Sequence, residues 1–364
     1  MKIKDSIFGI LKWLLALRLV KLNKDFVSNN NKLSNTFMGM RRDDNLWGRA
    51  EGLDSDEHAE LYALFNSRYN LIYFELNNND FSFRSNHLSD KYGRYYYEDG
   101  VDYIPALSSI NVKKSVHLNG CCAYLSNTEC QHYGHFIMFV LPLISIYNQY
   151  CEVKPDYYYL GDIQLSQFHF KLLQLAGVEK SKLITRPCTA DKIVYASISQ
   201  DFILKGKKYW DHDSYSYVRS LVKDLLFNNG NRKIYVSRGN VRWRRLVNED
   251  QLINYLIRKG FDIITMDGLS LEEQIGVFSG AEIIVAGHGA ALTNLLFCKE
   301  KTKVIEIFPY DYPDVTSYVI ASYSQCEYYR SQGEKYDLNT KACYRDIKVD
   351  LDDVVSKLNR IGVL

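Results

Sequence analysis

The chain has no Cys-x-x-Cys pair and no Asn-x-Ser/Thr sequon, although it carries eight cysteines in 364 residues. A chain of this length has no need of disulfide staples. Cys121, Cys122, Cys130, Cys151, Cys188, Cys298, Cys326 and Cys343 therefore read as buried free thiols of a reducing compartment. Charge of one sign is also lacking. The 45 Lys+Arg face 43 Asp+Glu, leaving +2, so no global field calls for nucleic acid. His-Glu-x-x-His, Gly-x-Ser-x-Gly, Cys/His clusters with ligand spacing, Gly-x-Gly-x-x-Gly and the P-loop are all missing, which argues against zinc proteases, hydrolase nucleophiles, dinucleotide-dependent redox enzymes and P-loop NTPases. Two Asp-x-Asp stretches, Asp54-Ser55-Asp56 and Asp211-His212-Asp213, follow no apolar strand, and the first has the look of a helix N-cap, so no metal site is expected.

What is present is globular: 46% hydrophobic and 24% charged residues, over a length that suits two domains. Tyrosine is abundant, at 29 residues, mostly for packing, with some suited to wet clefts that hold sugars or nucleotides. No apolar run is long enough to cross a bilayer. The first 24 residues set six Lys/Arg against the single acid Asp5, around the apolar stretch Ile7–Val20. As a helix that stretch reaches about 21 Å, short of the roughly 30 Å hydrocarbon core, and Lys21-Leu22-Asn23-Lys24 is no cleavage site. It reads either as an interfacial helix on anionic lipid, with Trp13 inserted, or as a helix docked on the protein itself.

Residues 25–115 are irregular, with Asn runs, a short strand at Leu71–Phe74 and a helix predicted at Ser55–Asn66. Periodicity begins near 116: strands at Cys121–Leu125, Tyr157–Leu160 and Lys192–Ser197, helices at Gln131–Tyr150 (interrupted at Pro142) and Gln164–Ala176. The second half alternates more plainly. Strands at Lys233–Val236, Phe261–Met266, Glu282–Ala286, Lys303–Phe308 and Cys326–Tyr329 are separated by helices near Glu249–Lys259, Ser270–Phe278, Ala290–Phe297 and Val315–Ser322, and Leu351–Leu358 closes the chain. Repeated βαβ units imply a parallel sheet covered on both faces. The expected organisation is a basic segment at 1–24, an N-terminal domain at 25–212, a C-terminal domain at 213–340 and a closing helix at 341–364, with two α/β domains facing across a cleft.

Ligands of open parallel sheets bind where strands turn into helices. After the Glu282–Ala286 strand comes Gly287-His288-Gly289-Ala290-Ala291-Leu292-Thr293-Asn294. Its glycines permit close backbone approach, and the amides of a helix start attract a nucleotide diphosphate, to which His288 adds a hydrogen bond; the other reading is a glycine-rich turn with a structural histidine. After Lys233–Val236 comes Ser237-Arg238-Gly239, within a run from Arg232 to Arg245 that holds six positive charges and no acid. Arg238 at the strand's end is placed to clamp a pyrophosphate; of Arg242, Arg244 and Arg245, one is expected to reach ligand and the others to be solvated. Glu306, in the apolar strand, needs either a ribose or a buried Arg or Lys as partner. In the first half, His132-Tyr133-Gly134-His135-Phe136 opens a helix, where His135 reads as a general base for an acceptor hydroxyl or as a capped core histidine.

With these residues placed, the chain resembles glycosyltransferase family 61. Tyr235-Val236-Ser237-Arg238, Arg244-Arg245, Asn248-Glu249, Gln274, Gly287-His288-Gly289-Ala290 with Thr293-Asn294, and Glu306-Ile307-Phe308-Pro309 follow the family's order and approximate spacing, and Tyr133-Gly134-His135-Phe136 with Leu141-Pro142 resembles its upstream motif. The resemblance spans about residues 120–310. It implies a GT-B architecture of two Rossmann-like domains, with the sugar nucleotide mainly on the C-terminal one. It also implies inverting transfer, usually from a UDP-sugar, without an obligatory metal or other cofactor. Bacterial relatives commonly belong to capsule or lipopolysaccharide pathways, which puts the acceptor among glycans or glycolipids; with the free thiols and the basic N-terminal segment, the protein is expected at the cytoplasmic, inner face of the membrane. Ser237, Arg238, Arg244, Arg245, Gly287, His288, Gly289, Ala290, Thr293, Asn294 and Glu306 become the donor-site candidates, and His135 and Arg238 the catalytic ones. One departure stands out: where the family often carries an acid four residues after the helix-start histidine, this chain has Phe139, and Leu143 replaces an arginine. An inactive glycan-binding scaffold is the alternative that this departure raises.

Overall fold

The computed structural model describes residues 115–363 except 127–129, 152, 162, 201–211, 228–229 and 313, and upstream of them five strands at 33–39, 50–51, 68–77, 81–84 and 87–90. The basic segment 1–24, the helix predicted at Ser55–Asn66, Asp54-Ser55-Asp56 and Asp211 lie outside the described residues. The chain divides into two compact units, Met1–Met40 with Asn66–Ser214, and Arg41–Phe65 with Tyr215–Leu364.

The first unit is built on a mixed sheet. Strands β6 (Val116–Tyr124), β7 (Tyr157–Tyr159) and β8 (Leu183–Ile184) run parallel to one another and to β9 (Cys188–Gln200). The predicted parallel strands are present, and an antiparallel half is added to them. There β9 pairs with β3 (Arg68–Asn77), β3 with β1 (Leu33–Gly39), and β4 (Phe81–Arg84) pairs with both β5 (His87–Asp90) and β9. The strand predicted at Leu71–Phe74 is the middle of β3. Aromatic rings fill this sheet's core: Phe83 stacks on Tyr159 at 5.0 Å, and Tyr124 lies 4.8 Å from Tyr195.

The helix predicted at Gln131–Tyr150 is broken where expected and widened in an unexpected way. A single turn, α1 (Tyr133–His135), passes into a π-helical turn, Phe136–Val140, closed by Leu141 N–H donating to Phe136 O at 2.9 Å. Pro142 has no N–H to continue the ladder, and α2 (Leu143–Tyr150) starts afresh behind it. Helix α3 (Gln167–Leu175) follows β7.

In the second unit the described strands all pair in parallel. The sheet order is β11 (Asp262–Thr265), β10 (Arg232–Ser237), β12 (Ala281–Gly287), β13 (Lys303–Phe308), β14 (Glu327–Gln332) and β2 (Ala50–Glu51). Side chains alternate between faces along each strand. Tyr235, Ile283, Val285, Ile305 and Ile307 pack with Leu252 and Leu256 of α5 (Glu249–Arg258) and Val354 and Leu358 of α8 (Leu351–Arg360). Asp350 caps α8, accepting from Asp353 N–H at 3.0 Å. Ser270 caps α6 (Leu271–Ser279), its hydroxyl accepting from Glu273 N–H at 3.2 Å. Helix α4 (His212–Leu221) carries Asp213 in its first turn, and α7 (Thr316–Tyr323) precedes β14. The segment predicted as a helix at Ala290–Phe297 is a 3-10 helix, and its residues from Leu292 onward are all buried. Leu292 N–H closes the first tight turn on Gly289 O at 3.0 Å.

Tyrosine serves packing first: Tyr147, Tyr158, Tyr159, Tyr235, Tyr318 and Tyr328 are among the largest fully buried side chains. All eight cysteines are free thiols, six of them buried. Among the described residues no helix is long and apolar enough to cross a membrane.

Candidate functional site

Two loops at the carboxyl ends of β10 and β12 meet in the second unit, and Arg238 joins them. Its guanidinium donates to His288 O at 2.7 Å and to Trp243 O at 3.0 Å, spanning both loops. The glycines make room for it. A Cβ at Gly287 would come 2.7 Å from Leu246 Cδ1 and 3.0 Å from Arg238 Cδ, and one at Gly289 would collide with the Arg238 guanidinium. The Gly287-His288-Gly289 sequence is thus a groove for an arginine before it is anything else. Burial, then the charge of Arg244, pulls Arg238 down to about 10, which still leaves it cationic at neutral pH.

The basic run separates into spent and unspent charges. Arg232 pairs with Asp262 at 2.9 Å, Arg242 lies over the Trp243 ring at 4.6 Å, and Arg245 forms a salt bridge to Asp346 at 2.6 Å with its side chain 61% exposed. Arg244 turns the other way. Its φ of 58° places the backbone in the left-handed region, and its guanidinium is half-buried and donates to Cys343 O at 2.9 Å. Of the three arginines beyond Gly239, Arg244 is therefore the one aimed inward. A guanidinium has five N–H donors. Arg238 and Arg244 give theirs only to backbone carbonyls, and among the described residues the Nε of each is buried without a partner.

The loop is braced from behind. Asn248 clamps the chain at Val349, accepting from its N–H at 2.8 Å and donating to its carbonyl at 3.0 Å. Glu249, at the start of α5, accepts from Tyr235 Oη at 2.7 Å and Ser237 Oγ at 2.8 Å, while Ser237 Oγ also accepts from Gly239 N–H at 3.1 Å. Ser237 thus shapes the turn on which Arg238 sits.

His288 is buried beside this pair. Its N–H donates to Ile307 O at 2.8 Å, its ring stacks on Phe308 at 4.6 Å, and Tyr312 meets it edge-on at 5.2 Å. Glu306 Oε1 lies 2.6 Å from His288 Nδ1, so the partner that its burial demanded is a histidine of the loop, where a ribose or a buried Arg or Lys was expected. Burial pushes the Tyr312 hydroxyl up to about 12. Ala290 is exposed at the mouth of the 3-10 helix, whereas Thr293 and Asn294 are buried; the Asn294 amide donates to Gln274 Oε1 at 3.3 Å and Ala291 O at 3.1 Å. Asn294 thus braces the start of the 3-10 helix against α6.

His135 belongs to the first unit, half-buried, with its ring edge-on to Phe139 at 5.5 Å. It immediately precedes the π-helical turn, a local irregularity that often accompanies functional sites. Sequence reasoning passed over Tyr312, Ser317 and Tyr328, which surround His288 and Glu306. They come from β14 and from the β13–α7 region, and no local motif announces a contact made only by parallel pairing of β13 with β14. Among the described residues, no three His, Cys, Asp or Glu side chains come together in metal-ligand fashion.

Residues 133–305 match the family model described as Glycosyltransferase 61. The matched stretch includes His135, Arg238, Arg244 and the Gly287-His288-Gly289 loop, and it ends one residue before Glu306. No curated protein matches the chain.

Proposed function

We propose that the protein is an inverting glycosyltransferase of GT-B type. It moves a sugar from a nucleotide-sugar donor, UDP-linked, to a hydroxyl of a surface glycan or glycolipid at the inner face of the membrane. One observation supports the donor site above the others: Arg238 and Arg244 converge beside the glycine loop, hydrogen-bonded only to carbonyls, while the neighbouring Arg232 and Arg245 are each neutralised by an aspartate. Two guanidiniums at the end of a parallel strand, neither in a salt bridge among the described residues, suit a diphosphate. Their charge stabilises the UDP that departs as the glycosidic bond breaks, the role a divalent cation has in other sugar-transfer enzymes. The amides of Gly289 and Ala290 and the His288 ring complete the anion site. His135 takes the proton of the acceptor hydroxyl as that oxygen attacks the anomeric carbon from the face opposite the leaving group.

The second reading, a glycan-binding scaffold, draws on the Phe139 ring that occupies the place of an acid beside His135. A panel of nucleotide sugars offered with a glycolipid acceptor, in the presence of a chelator, separates the two. Transfer from a UDP-sugar that falls about 100- to 10,000-fold in His135→Ala, with UDP affinity unchanged, is the expected outcome. Neither transfer nor UDP-sugar hydrolysis with any donor favours the scaffold.

A further inference from the structure

Glu306 is the only acid among the described residues that is buried, with an exposure of 0%, and it sits in a strand whose other buried positions are all apolar. An isolated carboxylate in such a place is costly, and packing alone would be served as well by a valine. Three groups converge on it. Tyr328 Oη donates to Oε2 at 2.5 Å, Ser317 Oγ donates to Oε1 at 3.1 Å, and His288 Nδ1 lies 2.6 Å from Oε1. An ionised carboxylate only accepts, so Nδ1 carries the hydrogen of that last contact. The ring is held in plane by Phe308 and edge-on by Tyr312. Nε2 is then the ring atom left over, and no described residue is hydrogen-bonded to it.

We propose that Glu306 is a positioning residue. It locks His288 with Nδ1 turned inward, so that Nε2–H meets an oxygen of a donor diphosphate bound beside Arg238 and the glycine loop. The carboxylate also compensates the charge that the ring carries when both nitrogens hold hydrogen, as carboxylate–imidazole pairs do elsewhere. This assignment rests on the donor site proposed above and adds to it a buried acid that itself never touches the ligand.

The two ring nitrogens have different amide mimics: the nitrogen of Gln reaches the place of Nε2, and that of Asn the place of Nδ1. Calorimetric titration with UDP is carried out on the full chain and on His288→Gln, His288→Asn, Glu306→Gln and the Glu306→Gln/His288→Asn double variant. His288→Gln is expected to retain most of the affinity, while His288→Asn, which keeps only the Glu306 contact, loses about 10- to 100-fold. Glu306→Gln alone is expected to lose a similar factor, and to add nothing in the His288→Asn background, because its effect passes through the ring. Where Glu306→Gln fails to fold, as melting curves reveal, the Gln and Asn variants carry the test with Glu306 in place. Equal affinities for those two variants, or a Glu306→Gln loss that persists without His288, overturns the inference alone. Wild-type protein that binds no UDP overturns the donor site and this inference together.

Discussion

The six positive charges from Arg232 to Arg245 look equivalent in the sequence and end in separate environments. Arg232 and Arg245 are closed off by Asp262 and Asp346, Lys233 donates to Lys259 O at 3.4 Å, and Arg242 lies on Trp243. Only Arg238 and Arg244 turn inward, and for Arg244 the cause is one backbone angle, a left-handed φ of 58° that a non-glycine residue adopts at a cost of about 1–3 kcal/mol. Glycine adopts that region freely. Arg244→Gly is therefore expected to keep or raise the melting temperature while UDP affinity falls at least tenfold, and Arg245→Ala is expected to change UDP affinity little, because an exposed ion pair contributes little. Calorimetry and melting curves on the two variants check this. An Arg245→Ala loss exceeding that of Arg244→Gly would reverse the assignment of the two arginines.

At the level of elements, β10 to β14 of the second unit were legible because they alternate with helices at regular spacing, and β12 and β13, buried on both faces, read as short apolar runs; the two-residue β2 was not. Strands β1, β4 and β5 were not. Their pairings are antiparallel and, for β1 and β4, reach partners such as Phe74 and Cys188 far along the chain, through segments with no clear alternation. Pro142 announced the break in the helix, but the π-helical turn before it has no sequence signature. Arg238 was legible as a strand-end arginine; that Gly287 and Gly289 exist to house it was not, because the contact joins two loops. Behind the π turn, His169 of α3 packs edge-on to Phe136 at 4.7 Å, accepts from Ser166 N–H through Nδ1 at 3.0 Å and reaches Cys130 O through Nε2 at 3.2 Å. Those partners suit the neutral ring, and burial, opposed only in part by the Cys130 carbonyl, holds His169 below the usual histidine value. The unfolded chain therefore binds the extra proton first: this contribution is intact above about pH 6.5 and is lost as pH falls through that value toward the folded one. Gln at this position keeps an acceptor for Ser166 N–H and does not titrate. Between pH 7 and pH 5 the wild-type melting temperature is expected to fall more steeply than that of His169→Gln; equal slopes would remove His169 as the cause.

For the whole molecule, the proposed function puts the donor nucleotide on the second unit, acceptor activation on the first, and attachment to the membrane surface on residues 1–24. The last assignment comes from six Lys/Arg around an apolar stretch, each adding about 1 kcal/mol near anionic lipid. Deleting the segment is expected to release the protein from phosphatidylserine vesicles in a sedimentation assay while transfer to a soluble acceptor continues; loss of folding on deletion would favour a helix docked on the protein. Everything else in the account depends on where the diphosphate sits, and Arg238 is the residue that ties both loops of that site together. The most direct test is calorimetric titration of UDP into wild-type protein and folded Arg238→Ala. A saturable site is expected in the wild type, with a loss of about 30-fold or more in the variant, in line with truncating one partner of a buried charge pair. Equal UDP affinity in the two proteins would place the donor elsewhere and contradict the account at its centre.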